Sequence, residues 1–415
     1  MNNFFSKTFQ GDRVIWMVFL FLCIISIIEV FSASSMLSYK SQDYMFPLYD
    51  HGKKILMGLV VAIGVLNVPC RYFKLIMPLL LLLSLLTLLW VLVGGQSING
   101  ANRVIGFAGI TFQPSEIAKG SLVLATAQIL SMTQHADGSG ADKKAMRYIL
   151  TITIPIVFLI GLENLSTAGL LFLVIFMMMF VGRVPLSQMG KLMAVGVIFI
   201  GTFLGMIFAF GSTEDTEESA QKAVITAGNA GSQNGIKGGG IFHRFGTWRN
   251  RILNMAESKD VAPEDYDLEK NYQVAHGNIA IATSGIIGKG PGNSTERDYL
   301  PQAYSDFIYA IVIEEMGIFG AVIVVFLYVV LLFRCARIAS RCENNFPAFL
   351  VLGLGMLLAF QATINILVAV GWFPVTGQPL PLISRGGTST VINCAYIGAI
   401  LSVSRSAKRV ETKTA

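Results

Sequence analysis

The chain has 415 residues, of which 53% are hydrophobic and only 13% charged, with a formal net charge of +6 and a mean hydropathy of +0.63. Soluble domains carry about 25% charged residues and could not hide this much apolar surface, which excludes a soluble enzyme. The basic excess needs no nucleic acid, because it falls where membrane topology puts it.

Uninterrupted apolar runs of about 18 residues mark membrane helices. Ten are read: 14–33, 54–69, 75–94, 115–132, 148–163, 166–182, 190–211, 306–333, 347–371 and 390–404. The expected fold class is an all-α polytopic membrane protein with a single membrane domain. Residues 14–211 form spans one to seven, 212–305 a large extracytoplasmic loop, 306–404 spans eight to ten, and 405–415 a cytoplasmic tail. "FSASS" follows the first span like a cleavage site, but the apolar run exceeds the roughly 7–15 residues of a signal peptide, so it stays as a helix. Between 148 and 182 only Glu163-Asn164 interrupts the apolar run. Sixteen of the 31 basic residues, from Lys7 and Arg13 through Arg71, Lys143, Arg183 and Arg334 to Lys413, lie in short segments on one side. That side is cytoplasmic and holds both termini, as an even number of spans requires.

Cys23, Cys70, Cys335, Cys342 and Cys394 lie in spans or on the cytoplasmic side, and no CxxC spacing occurs. Neither a disulfide framework nor a zinc site follows. The two longer outer segments are 95–114 and 212–305. Within the second, 271–290 reads as a helix ending in glycine, with Tyr272, Ala275, Ile279 and Ala282 on one face and Gln273 and Asn278 off it. Such a helix either lies in the interface plane to meet a lipid-borne substrate or packs on the bundle. Gln273 and Lys289 are its candidate substrate-binding residues. "GIIGKGPGNST" (285–295) imitates a phosphate loop but fails, since Gly290 follows Lys289 where Ser or Thr is needed.

Ionisable groups inside spans cost about 2.5–3.5 kcal/mol each at mid-helix, so each asks for a reason. Glu116 and Lys119 share a face at i,i+3 behind Pro114, either as a structural pair or with Lys119 also turned to an anionic ligand. Glu314 and Glu315 point about 100° apart and read as structural. Asp306 opens the eighth span in "SDFIYA" (305–310), with no basic residue at i±3 or i±4. On the residues alone it is a helix cap or, with desolvation raising its pKa, a general base.

Three stretches on the outer ends of different spans decide the context: "NGANRVIGFAGITFQPSEIAK" (99–119), "GKGPGNSTERDYLPQAYSDFIYAIVIEEMG" (288–317) and "PVTGQPLPLISRGGTS" (374–389). Together they resemble the signature stretches of the SEDS family (shape, elongation, division and sporulation), which includes FtsW and RodA; the likeness covers about 14–405. The resemblance implies a peptidoglycan glycosyltransferase that polymerises lipid II outside the bacterial cytoplasmic membrane. It gives Asp306 the role of catalytic carboxylate and Glu116, Lys119, Arg103, Ser384, Gly386, Gly387 and Ser389 the role of substrate-binding residues, with Arg385 beside them. Three positions depart from the family pattern: Asn164 stands in place of an aspartate, Arg385 in place of the usual Tyr, and Val104 in place of Trp. "ENLST" and "GRVP" lean towards the division-type members.

The implied chemistry deprotonates an acceptor hydroxyl with Asp306 and stabilises a departing polyprenyl diphosphate with Lys119, Arg103 and Arg385. One base without a second nearby carboxylate suits inversion to a β-1,4 glycan, and the glycine-rich 377–387 lets backbone amides approach phosphate or sugar. The cofactor expectation is none certain; the diphosphate has room for a divalent cation, Mg2+ or Mn2+, though no carboxylate cluster announces a site. The expected partners are lipid II, the nascent glycan strand, a class B penicillin-binding protein that crosslinks it, and other division-complex membrane proteins. The alternatives are a lipid II flippase or transporter and a non-enzymatic division scaffold.

Overall fold

The computed structural model describes residues 10–35, 39, 42–98, 101–107, 110–135, 140–210, 249, 253, 272–300 and 303–407. Much of the expected outer loop, 212–271, therefore lies outside the described residues apart from two positions. The first helix, α1 (Arg13–Ser32), begins where Asp12 accepts the amides of Val14 (2.9 Å) and Ile15 (3.2 Å), satisfying donors that no helical carbonyl reaches. The second, α2 (Phe46–Leu66), starts two turns before the expected 54, with Pro47 in its first turn where a missing N–H is harmless. The polar run Asp50–Lys54 hid this start from a hydropathy reading.

After α3 (Cys70–Gly94) the segment expected to lie outside departs from the all-α expectation. It forms a three-stranded antiparallel meander of β1 (Gln96–Ile98), β2 (Ala101–Phe107) and β3 (Ile110–Phe112). Ile98 pairs with Ala101, and Ile105 with Phe112. Asn99-Gly100 is a strong hairpin signal in the sequence, which the ten-span reading left unused. Pro114 then opens α4 (Pro114–Thr133).

The apolar stretch 148–182 does divide. Asn164, extended at φ −150°, ends α5 (Ala145–Glu163) and caps α6 (Leu165–Val181), its side chain accepting the Thr167 amide at 3.2 Å. An amide oxygen thus fills a cap that an aspartate would also fill. Next come α7 (Leu186–Phe210), α8 (Tyr272–Thr283), a single 3-10 turn at Glu296–Asp298, α9 (Ile308–Ala339), α10 (Asn345–Ala369) and α11 (Gly387–Ser406). Among the described residues seven helices are long and apolar enough to cross a membrane: α1, α3, α5, α7, α9, α10 and α11. The interior lies where α4, α10 and α11 meet, while α7 is exposed along most of its length.

Two features shape the end of the bundle that carries α8. The buried face of α8 carries Ala275, Gly277 and Ala280; of the expected face Ala275 is buried and Ile279 partly so, while Tyr272 and Ala282 are exposed, and the small side chains let the helix approach α9 closely. And α9 is broken at Gly317 (φ 66°, ψ −167°), so the carbonyls of Glu314 and Glu315 are free to accept the amides of Lys289 and Gly290, each at 2.9 Å. Gly288 (φ +85°) meets this break backbone to backbone: a Cβ on it would lie 2.4 Å from Gly317 N.

Candidate functional site

Asp306 sits in the turn 303–307 immediately before α9, half-buried. The cap residue of α9 is Phe307, whose side chain makes no capping bond; neither Ser305 nor Asp306 is the cap residue itself. The Ser305 hydroxyl instead donates to Asp306 Oδ1 (2.9 Å). The turn is stitched in place by other elements. Ser384 Oγ donates to the Ser305 carbonyl (2.6 Å), the Arg385 amide to the Tyr304 carbonyl (2.9 Å), and Asn365 Nδ2 to the Asp306 carbonyl (2.9 Å). Two of the three signature stretches are thereby brought together.

The third joins through α10. Lys119 Nζ lies 2.9 Å from Glu116 Oε1 and donates to Gln361 Oε1 at 2.8 Å; neither charged side chain is more than 3% exposed. Gln361 Nε2 donates to the Pro379 carbonyl (3.0 Å), and Asn365, one turn further along α10, also donates to the Gln378 carbonyl (2.7 Å). The Gln378 amide in turn donates to the Thr167 hydroxyl at the start of α6. Gln361 and Asn365 form a polar strut linking the Asp306 turn, the 374–389 stretch and Lys119. The sequence reading missed both, although two amides four apart in an apolar span carried the signal.

The cations are less open than expected. Lys119 has no exposed surface, being enclosed by Glu116 and Gln361. Arg385 Nη2 donates to Asp50 Oδ2 (2.5 Å) on α2, its guanidinium lies 5.4 Å from the Tyr304 ring, and Asp50 also holds Lys54 (2.7 Å). The sequence reading missed Asp50 because it precedes the apolar run. Lys289 Nζ binds Glu314 Oε1 (2.5 Å) and Thr295 Oγ1 (2.9 Å), so it is not brought to Asp306 by any described contact. Glu315 accepts the Gly292 amide (2.9 Å), the Ser294 amide (3.2 Å) and the Ser32 hydroxyl. Both glutamates are structural, as expected, yet they hold the same loop despite pointing apart on a helix.

Gly386 is the cap residue of α11, and a Cβ there would lie 2.3 Å from Ser389 Oγ, which donates back to the Gly386 carbonyl (2.8 Å). A side chain at Gly387 would meet nothing within 4 Å, so that side of the helix start is open. Gln273 is exposed on α8. Arg103 lies in β2, and its side chain is outside what the structure describes. Among the described residues no three His, Cys, Asp or Glu side chains are grouped to hold a metal ion.

Residues 12–409 match the family described as "Cell cycle protein", which groups FtsW, RodA and SpoVE. The chain belongs to this family. Among its relatives, the probable peptidoglycan glycosyltransferase FtsW of Halomonas elongata is 30% identical over 376 residues, covering 88% of this chain and 83% of that protein. The peptidoglycan glycosyltransferase MrdB of Escherichia coli K12 is 26% identical, covering 96% and 95%. A solved structure reported as "Structural coordination of polymerization and crosslinking by a peptidoglycan synthase complex" superposes with a TM-score of 0.68 at 24% identity, covering 95% of this chain and 98% of that one. Thermus thermophilus rod shape determining protein RodA does so at 0.61 and 22% identity, covering 96% and 98%. These likenesses show a SEDS fold.

Proposed function

We propose that the chain is a peptidoglycan glycosyltransferase that polymerises lipid II into β-1,4 glycan strands at the outer face of the bacterial cytoplasmic membrane, in cell division. The enzyme class follows the FtsW and MrdB relatives, and the division role follows the FtsW names and the "ENLST" and "GRVP" stretches. Asp306 is the general base that takes the proton of the acceptor hydroxyl. The observation that carries this is its setting: a carboxylate at the mouth of α9, one residue before its cap, on a turn held by bonds to 384–385 and Asn365. A base must be fixed to act, since misplacement forfeits the advantage of orientation.

The diphosphate leaves towards fixed positive charge. Arg385 at the edge of the turn and Arg103 on β2 are the candidates for direct contact, and buried Lys119 acts through its field in a dry surround. Attack from the face opposite the diphosphate inverts the anomeric carbon. The three further helices α2, α4 and α6 join the seven apolar ones to make ten spans, with the short basic segments and both termini cytoplasmic. Residues 405–415 then form the cytoplasmic tail and 212–305 the outer loop.

Flippase activity is the second reading, favoured by one observation: a helix broken within the membrane is a feature of transporters. Here the break at Gly317 is filled by the 286–292 loop, which leaves no open half-helix end for a substrate. The deciding test is purified protein in nanodiscs given lipid II, with glycan strands resolved on a gel. Wild type should polymerise. Asp306→Asn, which is nearly isosteric, should lose about a hundredfold to ten-thousandfold in rate while keeping its melting temperature. Undiminished polymer from the folded variant removes Asp306 as the base.

A further inference from the structure

Tyr272 and His276 lie one turn apart on α8 and so share a face. Their ring centroids are 4.4 Å apart, and the His276 ring is stacked on Tyr299 at 5.2 Å with the planes 5° apart. His276 Nδ1 lies 2.6 Å from Glu296 Oε2, which fixes the imidazole in its plane. Burial, together with Tyr299 and Glu296, pushes the pKa of Tyr272 up, so its hydroxyl stays protonated and able to donate. The stack is therefore rigid, yet its outer rings are not covered: Tyr272 is 37% and Tyr299 55% exposed. One face of Tyr299 rests on His276, and the residue as a whole is more than half exposed.

Its place matters as much as its shape. A Cβ on Gly277, the residue after His276, would lie 3.1 Å from the ring of Phe307, which directly follows Asp306. From Tyr299 the chain runs through buried Leu300 and Ala303 into the Asp306 turn. The rings and the proposed base are thus carried by the same packed unit.

We propose that the Tyr272–His276–Tyr299 stack is a carbohydrate subsite that holds pyranose rings of the growing glycan strand beside the Asp306 turn, an inference that rests on the polymerase reading. A pyranose presents a face of C–H groups bearing partial positive charge, which suits the negative face of an aromatic ring. Its hydroxyls lie at the rim, where the tyrosine hydroxyls donate and accept. A lipid tail gains nothing from phenol rims or from the ionisable His276–Glu296 pair beside them. A polymerase must keep hold of its product between additions, and a stacking platform does so without reading each substituent.

The test uses the full chain in nanodiscs and two readouts. The first is binding of chitohexaose, a soluble β-1,4-linked N-acetylglucosamine oligomer, followed by saturation-transfer NMR. Wild type should bind it saturably, Tyr299→Trp should retain binding, and Tyr299→Ala should weaken it about fivefold or more, with unchanged melting temperature because the ring is exposed. The second is the length of glycan made from lipid II, which should shorten in Tyr299→Ala and be kept in Tyr299→Trp. No chitohexaose binding by wild type, or equal binding by Tyr299→Ala, overturns the subsite. Absence of polymer from wild type strikes the polymerase reading instead, and the oligosaccharide arm still judges the stack.

Discussion

At Asp306 the chemistry depends on neighbours that carry no formal charge. Asn365 donates to the carbonyls of both Asp306 and Gln378, and Gln361 ties Lys119 to Pro379. Asn365→Leu leaves two carbonyls without donors, a cost of about 1–3 kcal/mol for each buried group. We expect kcat for polymerisation to fall with little change in KM for lipid II, because the turn carrying the proposed base shifts while the proposed diphosphate contacts remain; rates measured across lipid II concentrations separate the two. Glu116→Ala strands the Lys119 ammonium in an apolar surround and should destabilise the protein by about 3–5 kcal/mol. The double exchange Glu116→Lys with Lys119→Glu restores a pair and should recover most of the melting temperature without the turnover. Full turnover in the exchange would mean that the position of the positive charge is irrelevant to the leaving group.

The element that organises the outer end is α9, and its working part is the break. With φ 66° at Gly317, an L side chain is strained before any clash is counted, and a Cβ there would lie 2.2 Å from the Ile286 carbonyl. Gly317→Ala should cost about 1–3 kcal/mol for the backbone alone and loosen the loop that grips Glu314 and Glu315. Thermal unfolding measures the first effect. Faster hydrogen exchange at the Lys289 and Gly290 amides, now bonded to α9, measures the second. This element also shows how far a sequence carries. Its apolar length was legible from 306 onward, and the two glutamates announced a polar partner. Which partner was not legible, because a loop of glycines has no side-chain periodicity to read. The same reason hid the β-meander, whose strands are too short to outweigh their helical surroundings, and the early start of α2, where polar residues face the Arg385 side.

Over the whole molecule, the signature stretches could be found in the sequence because each is locally dense in glycine, proline and charge. That they converge through Gln361, Asn365 and Gln378 is a fact of packing between helices remote in the chain, which local patterns do not encode. We expect a class B penicillin-binding protein to act beside the chain, seated on exposed apolar surfaces such as Ile318, Phe319, Val322 and Phe326 of α9 or the 201–205 stretch of α7. Polymerisation should rise about 5- to 150-fold on adding the partner, the span of ordinary coupling free energies. Rates equal with and without every class B protein of the source organism would refute the coupling.

The grip of the 288–295 loop on Glu314 and Glu315 also bears on biogenesis. In chain order the loop is synthesised before the helix that it binds, and in the proposed topology it crosses the membrane before α9 enters the bilayer. Until the loop docks, α9 carries two carboxylates without their donors, at about 2.5–3.5 kcal/mol each by insertion scales. Once it docks, six donors converge on those carboxylates: the Lys289 ammonium, the amides of Gly292, Ser294 and Thr295, and the Ser294 and Thr295 hydroxyls. Insertion of α9 and closure of the outer surface are then one event. A chain halted before α9 would leave that loop without the carboxylates it grips, so the loop's order depends on completion of the helix.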